Sequence, residues 1–395
     1  MTNKKITLPG WPQYERDEID AVVEVLQSGN ANAWTGDQVK LFEREFADYI
    51  GAPYGIAVSN GTVALELALH SLGIGPDDDV VVPCKSFIAT ASSVVIHGAR
   101  PIFADVDPVS QNITAASIKI AITPRTKAVI VVHLGGWPCD MDSICEFAVQ
   151  HNLKVIEDCA QAHGARYKEK CVGSFGDAAA FSFCQDKIMT TGGEGGMLLL
   201  RDKEAWRRAW AYKDHGKDYD SMFPQSKTSG FQWVHHTFGT NWRLTEIQAA
   251  IGRKQLEKLP HWLSRRKCNA KALICGLSGI SGLRIYEPPK YMEHAYYRCY
   301  AFVETGKLKP DWNKGRIIES INAKGVLCFE GGCSEIYREK AFVDAGLTPK
   351  TRLPAGKKLG EEAMCFLVHP TLTEKDMEVV CDTISSIMTA AVKDT

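Results

Sequence analysis

Three groups of residues in this chain have types and spacing that suit chemistry. The first is Lys187, which follows the apolar run Phe181-Ser182-Phe183 and precedes a turn where Gly192, Gly193, Gly195 and Gly196 surround Glu194. Glycine reaches backbone conformations closed to other residues and lets the chain approach a ligand closely. A lysine held there can serve as an amine nucleophile and as a proton carrier. The second is the acidic pair Glu157-Asp158 at the end of an apolar run, followed by Cys159-Ala160-Gln161-Ala162-His163-Gly164. Ligands of open α/β sheets bind beyond the carboxyl ends of strands. A carboxylate there can keep a heterocyclic ring nitrogen protonated. The third is Val58-Ser59-Asn60-Gly61-Thr62, where a strand passes into a helix. A helix N-terminus offers free N–H groups and the positive end of a dipole, and Thr62 adds a hydroxyl, so an anion fits.

Each group has a plainer reading. Alone, Lys187 is a surface lysine on a hairpin, Asp158 a helix cap, and Asn60-Gly61-Thr62 a capped turn or a glycosylation acceptor that matters only in a secreted chain. In this order they supply what pyridoxal phosphate requires. That cofactor needs an amine for its carbonyl carbon, a carboxylate opposite its ring nitrogen and a cradle for its phosphate.

An alternating pattern of strands and helices must position these groups. Apolar β-rich runs at Tyr54–Val58, 80–83, 101–106, 128–134, Lys154–Asp158, 178–183 and 197–200 predict seven strands, and helical stretches such as 61–72 and 140–151 lie between them. The expected fold is α/β, a large domain with a mainly parallel seven-stranded sheet flanked by helices. A long connecting helix is expected over 244–277, interrupted at Pro260. Beyond it a strand at 298–304 and helices at 311–324 and 374–393 predict a smaller α+β C-terminal domain. The division is placed at 1–250 and 251–395.

The chain has 395 residues, 45% hydrophobic and 24% charged, enough apolar content for two packed cores. With 46 basic and 47 acidic residues and no run of like charge, the balance argues against a dedicated surface for nucleic acid or membrane. The N-terminal region lacks an apolar signal, and no stretch is long and apolar enough to span a bilayer. Thirteen scattered cysteines without a C-x-x-C pair fit buried reduced thiols better than disulfides or a zinc site. A cytoplasmic protein without a metal is expected.

With these motifs the chain resembles the DegT/DnrJ/StrS family of sugar aminotransferases, which have the fold-type I aspartate aminotransferase architecture. The likeness runs from about residue 8 to the C-terminal helix. It rests also on Phe42-Glu43-Arg44-Glu45-Phe46, Tyr49-Ile50-Gly51, His215-Gly216 and Gly239-Thr240-Asn241-Trp242-Arg243-Leu244. The resemblance implies that Lys187 carries the cofactor as a Schiff base and shuttles the proton, while Asp158 pairs with the ring nitrogen. It also implies that Gln161 bonds the ring hydroxyl, that Phe87 stacks on the ring, and that Gly61, Thr62 and Ser182 hold the phosphate. Asn241 would reach the phosphate of a neighbouring subunit, which implies a homodimer. His215, Arg243 and Glu330 are expected to touch substrate.

Related sugar dehydratases replace the lysine with histidine. Lys187 therefore points to transamination, with L-glutamate the expected donor and amino-sugar biosynthesis for surface polysaccharide or lipopolysaccharide the expected role. Where many relatives carry a Pro-Leu-His-like run, this chain reads Cys328-Phe329-Glu330-Gly331-Gly332-Cys333-Ser334-Glu335-Ile336-Tyr337, so the sugar pocket is expected to be remodelled. The acceptor is a nucleotide-linked keto or aldehydo sugar, or a free acidic sugar such as an oxidised octulosonate. Two rivals are a desulfurase or β-lyase of the same fold type, and a sensor that keeps the fold without catalysis. No loop with a mobile reactive cysteine supports the first, and the intact Lys187, Asp158 and Gln161 set argues against the second.

Overall fold

A computed structural model describes residues 6–223 and 233–393. The first five strands are β1 (Tyr54–Val58), β2 (Asp79–Pro83), β3 (Arg100–Ala104), β4 (Thr126–Val132) and β5 (Lys154–Asp158). Two short strands follow, β6 (Arg166–Tyr167) and β7 (Lys170–Cys171), and then β8 (Ala178–Ser182) and β9 (Gly196–Leu200). All but β6 and β7 form one seven-stranded sheet in the order β1-β9-β8-β5-β4-β2-β3. The pairs β3–β2, β2–β4, β4–β5 and β5–β8 are parallel, and β9 runs antiparallel to both β8 and β1. The expected α/β architecture with a mainly parallel sheet is therefore present. Every residue of β2, β8 and β9 is buried, because helices cover both faces, and this is why these strands read as continuous apolar runs.

The direction of the strands builds the site. The C-terminal ends of β2, β4, β5 and β8 leave the sheet along one edge. Antiparallel β9 starts at that edge, so Gly196 lies opposite both Ser182 and Val58. The run expected to be a strand to residue 134 stops at Val132. There the chain turns through Leu134–Gly136, with Gly135 and Gly136 at φ of +65° and +97°.

Two helices beyond those anticipated, Arg16–Ser28 and Gln38–Ile50, pack beside the sheet. The Glu246 carboxylate accepts from the Gln38 and Val39 N–H groups at 2.6 and 3.1 Å and so caps the second of them. The long helix differs from expectation. It runs unbroken over Glu246–Leu277, 32 residues, with Pro260 inside it. Pro260 is exposed, so its ring faces water, and the buried stripe through Leu259, Trp262 and Leu273 continues past it.

The C-terminal part contains β10 (Leu283–Ile285), β11 (Met292–Glu293), β12 (Cys299–Val303), β13 (Cys328–Phe329) and β14 (Ala363–Phe366). Four of these make an antiparallel sheet in the order β10-β12-β14-β13, covered by helices Lys314–Ala323 and Glu374–Ala391 around a second core. Strand β11 pairs with β6 instead. Among the described residues no helix is long and apolar enough to cross a membrane, and all thirteen cysteines are unpaired.

Candidate active site

A cavity of about 710 Å³ opens at the shared strand edge. One end of it is the start of helix Gly61–Ser71. Asn60 caps this helix, its Oδ1 accepting from the Val63 N–H at 3.0 Å. The N–H groups of Gly61 and Thr62 have no acceptor inside the helix, and both residues line the cavity beside Ser182. A Cβ on Gly61 would stand 2.6 Å from that of Ser182, so the helix can start this close to β8 only with glycine there. Free N–H groups, two hydroxyls and the helix dipole converge on a volume suited to a phosphate.

The acidic pair at the end of β5 divides because successive strand residues point to opposite sides. Glu157 points into the protein. It accepts from the Gly173, Phe175 and Gly176 N–H groups at 2.7, 2.8 and 2.7 Å and lies 3.1 Å from His133 Nε2. His133 Nδ1 accepts from the Cys139 N–H, so the ring proton sits on Nε2 and is donated to Glu157. Neither ring nitrogen retains a lone pair for a metal, although His133, Glu157 and Cys159 lie close together.

Asp158 points into the cavity. Its Oδ2 accepts from Thr90 Oγ1 at 2.7 Å and its Oδ1 from the Ala160 N–H at 3.2 Å. Burial pushes this carboxyl up, against the pull of the Thr90 and Ala160 hydrogen bonds and of Lys187 and His133. A buried carboxylate with no cation in contact is suited to a cationic ring nitrogen, which would bring it back down.

Gln161 lies one turn further on. Its Oε1 accepts from the Gly135 N–H at 2.7 Å, which leaves the Nε2 donors for the cavity. Phe87 lines the same cavity and is 64% exposed in the single chain.

Lys187 faces this group from the turn after β8. Its carbonyl accepts from Trp11 Nε1 at 2.8 Å, and the following Thr190 is held by Gln255 and by the Phe183 carbonyl. The Nζ lies 3.5 Å from both Tyr297 Oη and Asp186 Oδ1. Burial alone would lower this ammonium, but Tyr297 and Asp186 outweigh it and hold Lys187 above the ordinary lysine value. Tyr297 in turn donates to Asp186, and Arg298 lies beside both. Sequence reasoning missed Tyr297, Asp186 and Arg298 as site residues. Tyr297 stands 110 residues from Lys187, and no local motif marks it.

The cavity thus brings together Gly61, Thr62, Phe87, Asp158, Gln161, Ser182 and Lys187. Four other expected residues lie outside its lining. His215 is exposed with φ of +62°, and exposed Asn241 bridges to Asp214. Arg243 is committed to Asp214, with Nη1 donating at 2.6 Å. Glu330 lies in a separate hollow, 3.8 Å from Lys314. The unusual 330–334 run is fixed from beneath by Lys85, which is fully buried and donates to the Gly332 carbonyl at 3.3 Å and to Ser334 Oγ at 2.7 Å.

A doubly wound sheet with a post-strand lysine facing a buried strand-end aspartate defines a fold-type I enzyme of the aspartate aminotransferase class. More narrowly, the chain belongs to the DegT/DnrJ/EryC1/StrS aminotransferase family, which matches residues 12–385. An aminotransferase from Psychrobacter cryohalolentis superposes with a TM-score of 0.94 at 48% identity, covering 97% of this chain and 99% of that one. The spore coat polysaccharide biosynthesis protein SpsC of Bacillus subtilis is 38% identical over 391 residues, 96% of each chain. The GDP-perosamine synthase of Escherichia coli O157:H7 is 33% identical over 350 residues, 89% of this chain and 90% of that one. The protein is an aminotransferase, as its sequence motifs lead one to expect.

Proposed function

We propose that this aminotransferase moves an amino group from L-glutamate to a keto or aldehydo sugar carried on a nucleotide, in amino-sugar biosynthesis, with pyridoxal phosphate held on Lys187 in a homodimer. The observation that carries this reading is the convergence of Lys187, Asp158, Gln161 and the capped Gly61-Thr62 helix start in one cavity. Aminotransferases of the family work through pyridoxal phosphate, and the donor set here fits it. Gly61, Thr62 and Ser182 suit the phosphate, Asp158 the ring nitrogen, the Gln161 amide the ring hydroxyl and Phe87 the ring face. Relatives named for GDP-linked perosamine and for a UDP-linked dehydroglucosamine support a nucleotide-linked acceptor.

When bound, the cofactor supplies an electron sink for the carbon that loses its proton. The side chains do the rest. Asp158 keeps the sink protonated at its nitrogen, and the Thr90 hydrogen bond fixes the carboxylate that does so. With the cofactor bound, Lys187 Nζ is the base that would take the proton from the donor's α-carbon in one half of the reaction and give one to the carbon that gains the new amine in the other. Phe87, in the lining of the cavity, would lie against one face of the ring.

Borohydride reduction of the holoenzyme followed by peptide mapping tests the assignment, and Lys187 is the expected labelled residue. A label on another lysine would overturn it. Adding L-glutamate to the holoenzyme should convert the cofactor to its amine form, and no spectral change would overturn the donor assignment.

A further inference from the structure

Three side chains beside the cavity form an ordered series of donors and acceptors. Lys187 Nζ donates to Tyr297 Oη at 3.5 Å, and Tyr297 Oη donates in turn to Asp186 Oδ2. A hydroxyl can do both at once, because it has one proton to give and lone pairs to receive another. All three residues line the cavity, but they differ in access to water. The Lys187 side chain is 16% exposed and Tyr297 is buried, whereas the Asp186 side chain is 50% exposed. The hydrogen bonds therefore run from an enclosed amine, through an enclosed phenol, to a carboxylate at the solvent.

The charges suit the movement of a proton along this path. Burial raises the Tyr297 phenol against the pull of Lys187 and Arg298, so it rests neutral and keeps its own proton. Burial raises the Asp186 carboxyl too, but the Lys187 charge, the Tyr297 hydrogen bond and Arg298 outweigh it, so Asp186 rests ionised. Tyr297 and Asp186 in turn hold Lys187 as the ammonium. An ammonium has no lone pair, so a proton has to leave Nζ before the amine can act as nucleophile or base. The backbone fixes the phenol for this task. The Ala295 N–H donates to the Gly136 carbonyl at 2.9 Å and the Arg298 N–H to the Gly135 carbonyl at 3.2 Å, which anchors the chain on both sides of Tyr297. Between these anchors Tyr296 sits at φ of +52°, a strained conformation that its neighbours enforce.

We propose that Tyr297 and Asp186 form a proton relay that unloads Lys187 Nζ, with Tyr297 a catalytic residue in contact with the reacting amine. One proton passes from Nζ to Tyr297 Oη as the phenolic proton passes to Asp186 Oδ2. Lys187 becomes neutral, Tyr297 stays neutral and Asp186 becomes the carboxylic acid. Loss of the Lys187 charge removes the strongest influence that kept Asp186 ionised, so the carboxyl accepts better as the proton moves. The Nζ lone pair then bonds to the carbonyl carbon of pyridoxal phosphate, and the carbonyl oxygen leaves as water with the two hydrogens still on Nζ. The proton on Asp186 returns by the same path to the nitrogen. This inference rests on the proposed cofactor site at Lys187.

The test follows the full-length chain, stripped of cofactor, as it captures pyridoxal phosphate in a stopped-flow spectrometer. At saturating cofactor, Tyr297→Phe and Asp186→Asn should each lower the rate constant for bond formation at Nζ about 100-fold, the usual loss when a positioned proton carrier is removed. The double variant should be little slower than either single one, because the two groups act as a unit. Affinity for 4′-deoxypyridoxine phosphate, which has no carbonyl and binds without a covalent bond, should stay within a few-fold. In mixtures of light and heavy water the wild-type rate constant should fall along a curve, as two protons in flight require, and that of Tyr297→Phe along a straight line.

A loss of affinity for the deoxy analogue as large as the loss of rate would assign Tyr297 a structural role. A slow Asp186→Asn beside an unaltered Tyr297→Phe would mean that the proton crosses directly from Nζ to Asp186 Oδ1, 3.5 Å away. Either outcome, or a straight line for wild type, overturns the relay. Borohydride reduction separates these from a failure of the underlying reading. A label on a lysine other than Lys187 overturns the cofactor site and the relay with it, whereas a label on Lys187 with unaltered kinetics in both variants overturns the relay alone.

Discussion

At the scale of single residues, the chemistry was legible where it depended on strand ends and turns. Lys187, Asp158 and Gly61-Thr62 each sit where the chain leaves a strand, and a sequence shows where a strand ends. It does not show which way a side chain points. Glu157 and Asp158 are both acidic, and only the fold sends one into the His133 network and the other into the cavity. Arg298 and Tyr297 were illegible because they reach Lys187 only after the small sheet folds back across the strand edge. Asp158→Asn should lower turnover by about 100-fold or more, since the neutral amide cannot keep a ring nitrogen protonated. The cofactor-free protein should nonetheless melt no lower than wild type. Burial holds the Asp158 carboxyl above its ordinary value, so the ionised group costs stability at neutral pH and the substitution removes that cost. Thermal melts of the two cofactor-free proteins check the second half independently of activity.

At the scale of elements, strands and long helices followed from apolar periodicity, and the failures came where tertiary packing overrode a local signal. Pro260 stays inside its helix because it lies on the water-facing side. We propose that the division between the large and small units falls at residues 250 and 251, inside that helix. The departure noted at 328–337 acquires a physical account through Lys85, which no motif announced. Its amine is enclosed under the 330–334 run without a carboxylate in contact, and burial pulls it down to about 8. Because this value lies below that of the unfolded chain, the unfolded state binds more protons between the two, and stability contributed by Lys85 rises with pH across that window. The thiols of Cys84, Cys333 and Cys365 around it are all pushed up, chiefly by burial. Relative to Lys85→Met, wild type should therefore gain about 2 kcal/mol of unfolding free energy between pH 7 and pH 9.5. Denaturant titrations of both proteins at the two pH values measure the difference. A constant offset would mean that the lysine is hydrated and that the 330–334 run is held by other contacts.

At the scale of the whole molecule, we propose that a second copy of the chain completes the site. Phe87 lines the cavity yet is 64% exposed, and Phe238, three residues before Asn241, is 99% exposed. A large apolar side chain left in water at a cavity, as Phe87 is, suits a surface that a partner covers. Asn241 is exposed and lies outside the lining of its own cavity, and we propose that its expected contact with a phosphate is made with the site of another copy. A two-fold axis allows this, because each surface patch then meets its twin and one asparagine per chain serves two sites. The rival account is that Asn241 only ties the chain to Asp214 through their backbone bridge. Mixing separates the two. Lys187→Ala chains and Asn241→Ala chains, each impaired as homodimers, should form hybrids in which one site carries both lesions and the other carries neither. Random exchange of equal amounts makes half of the dimers hybrid, each with one intact site of two, so activity should recover to about a quarter of wild type. The recovery should appear only as fast as subunits exchange. An Asn241→Ala homodimer that binds cofactor and turns over normally, or a mixture no more active than its parents, would mean that each chain completes its site alone.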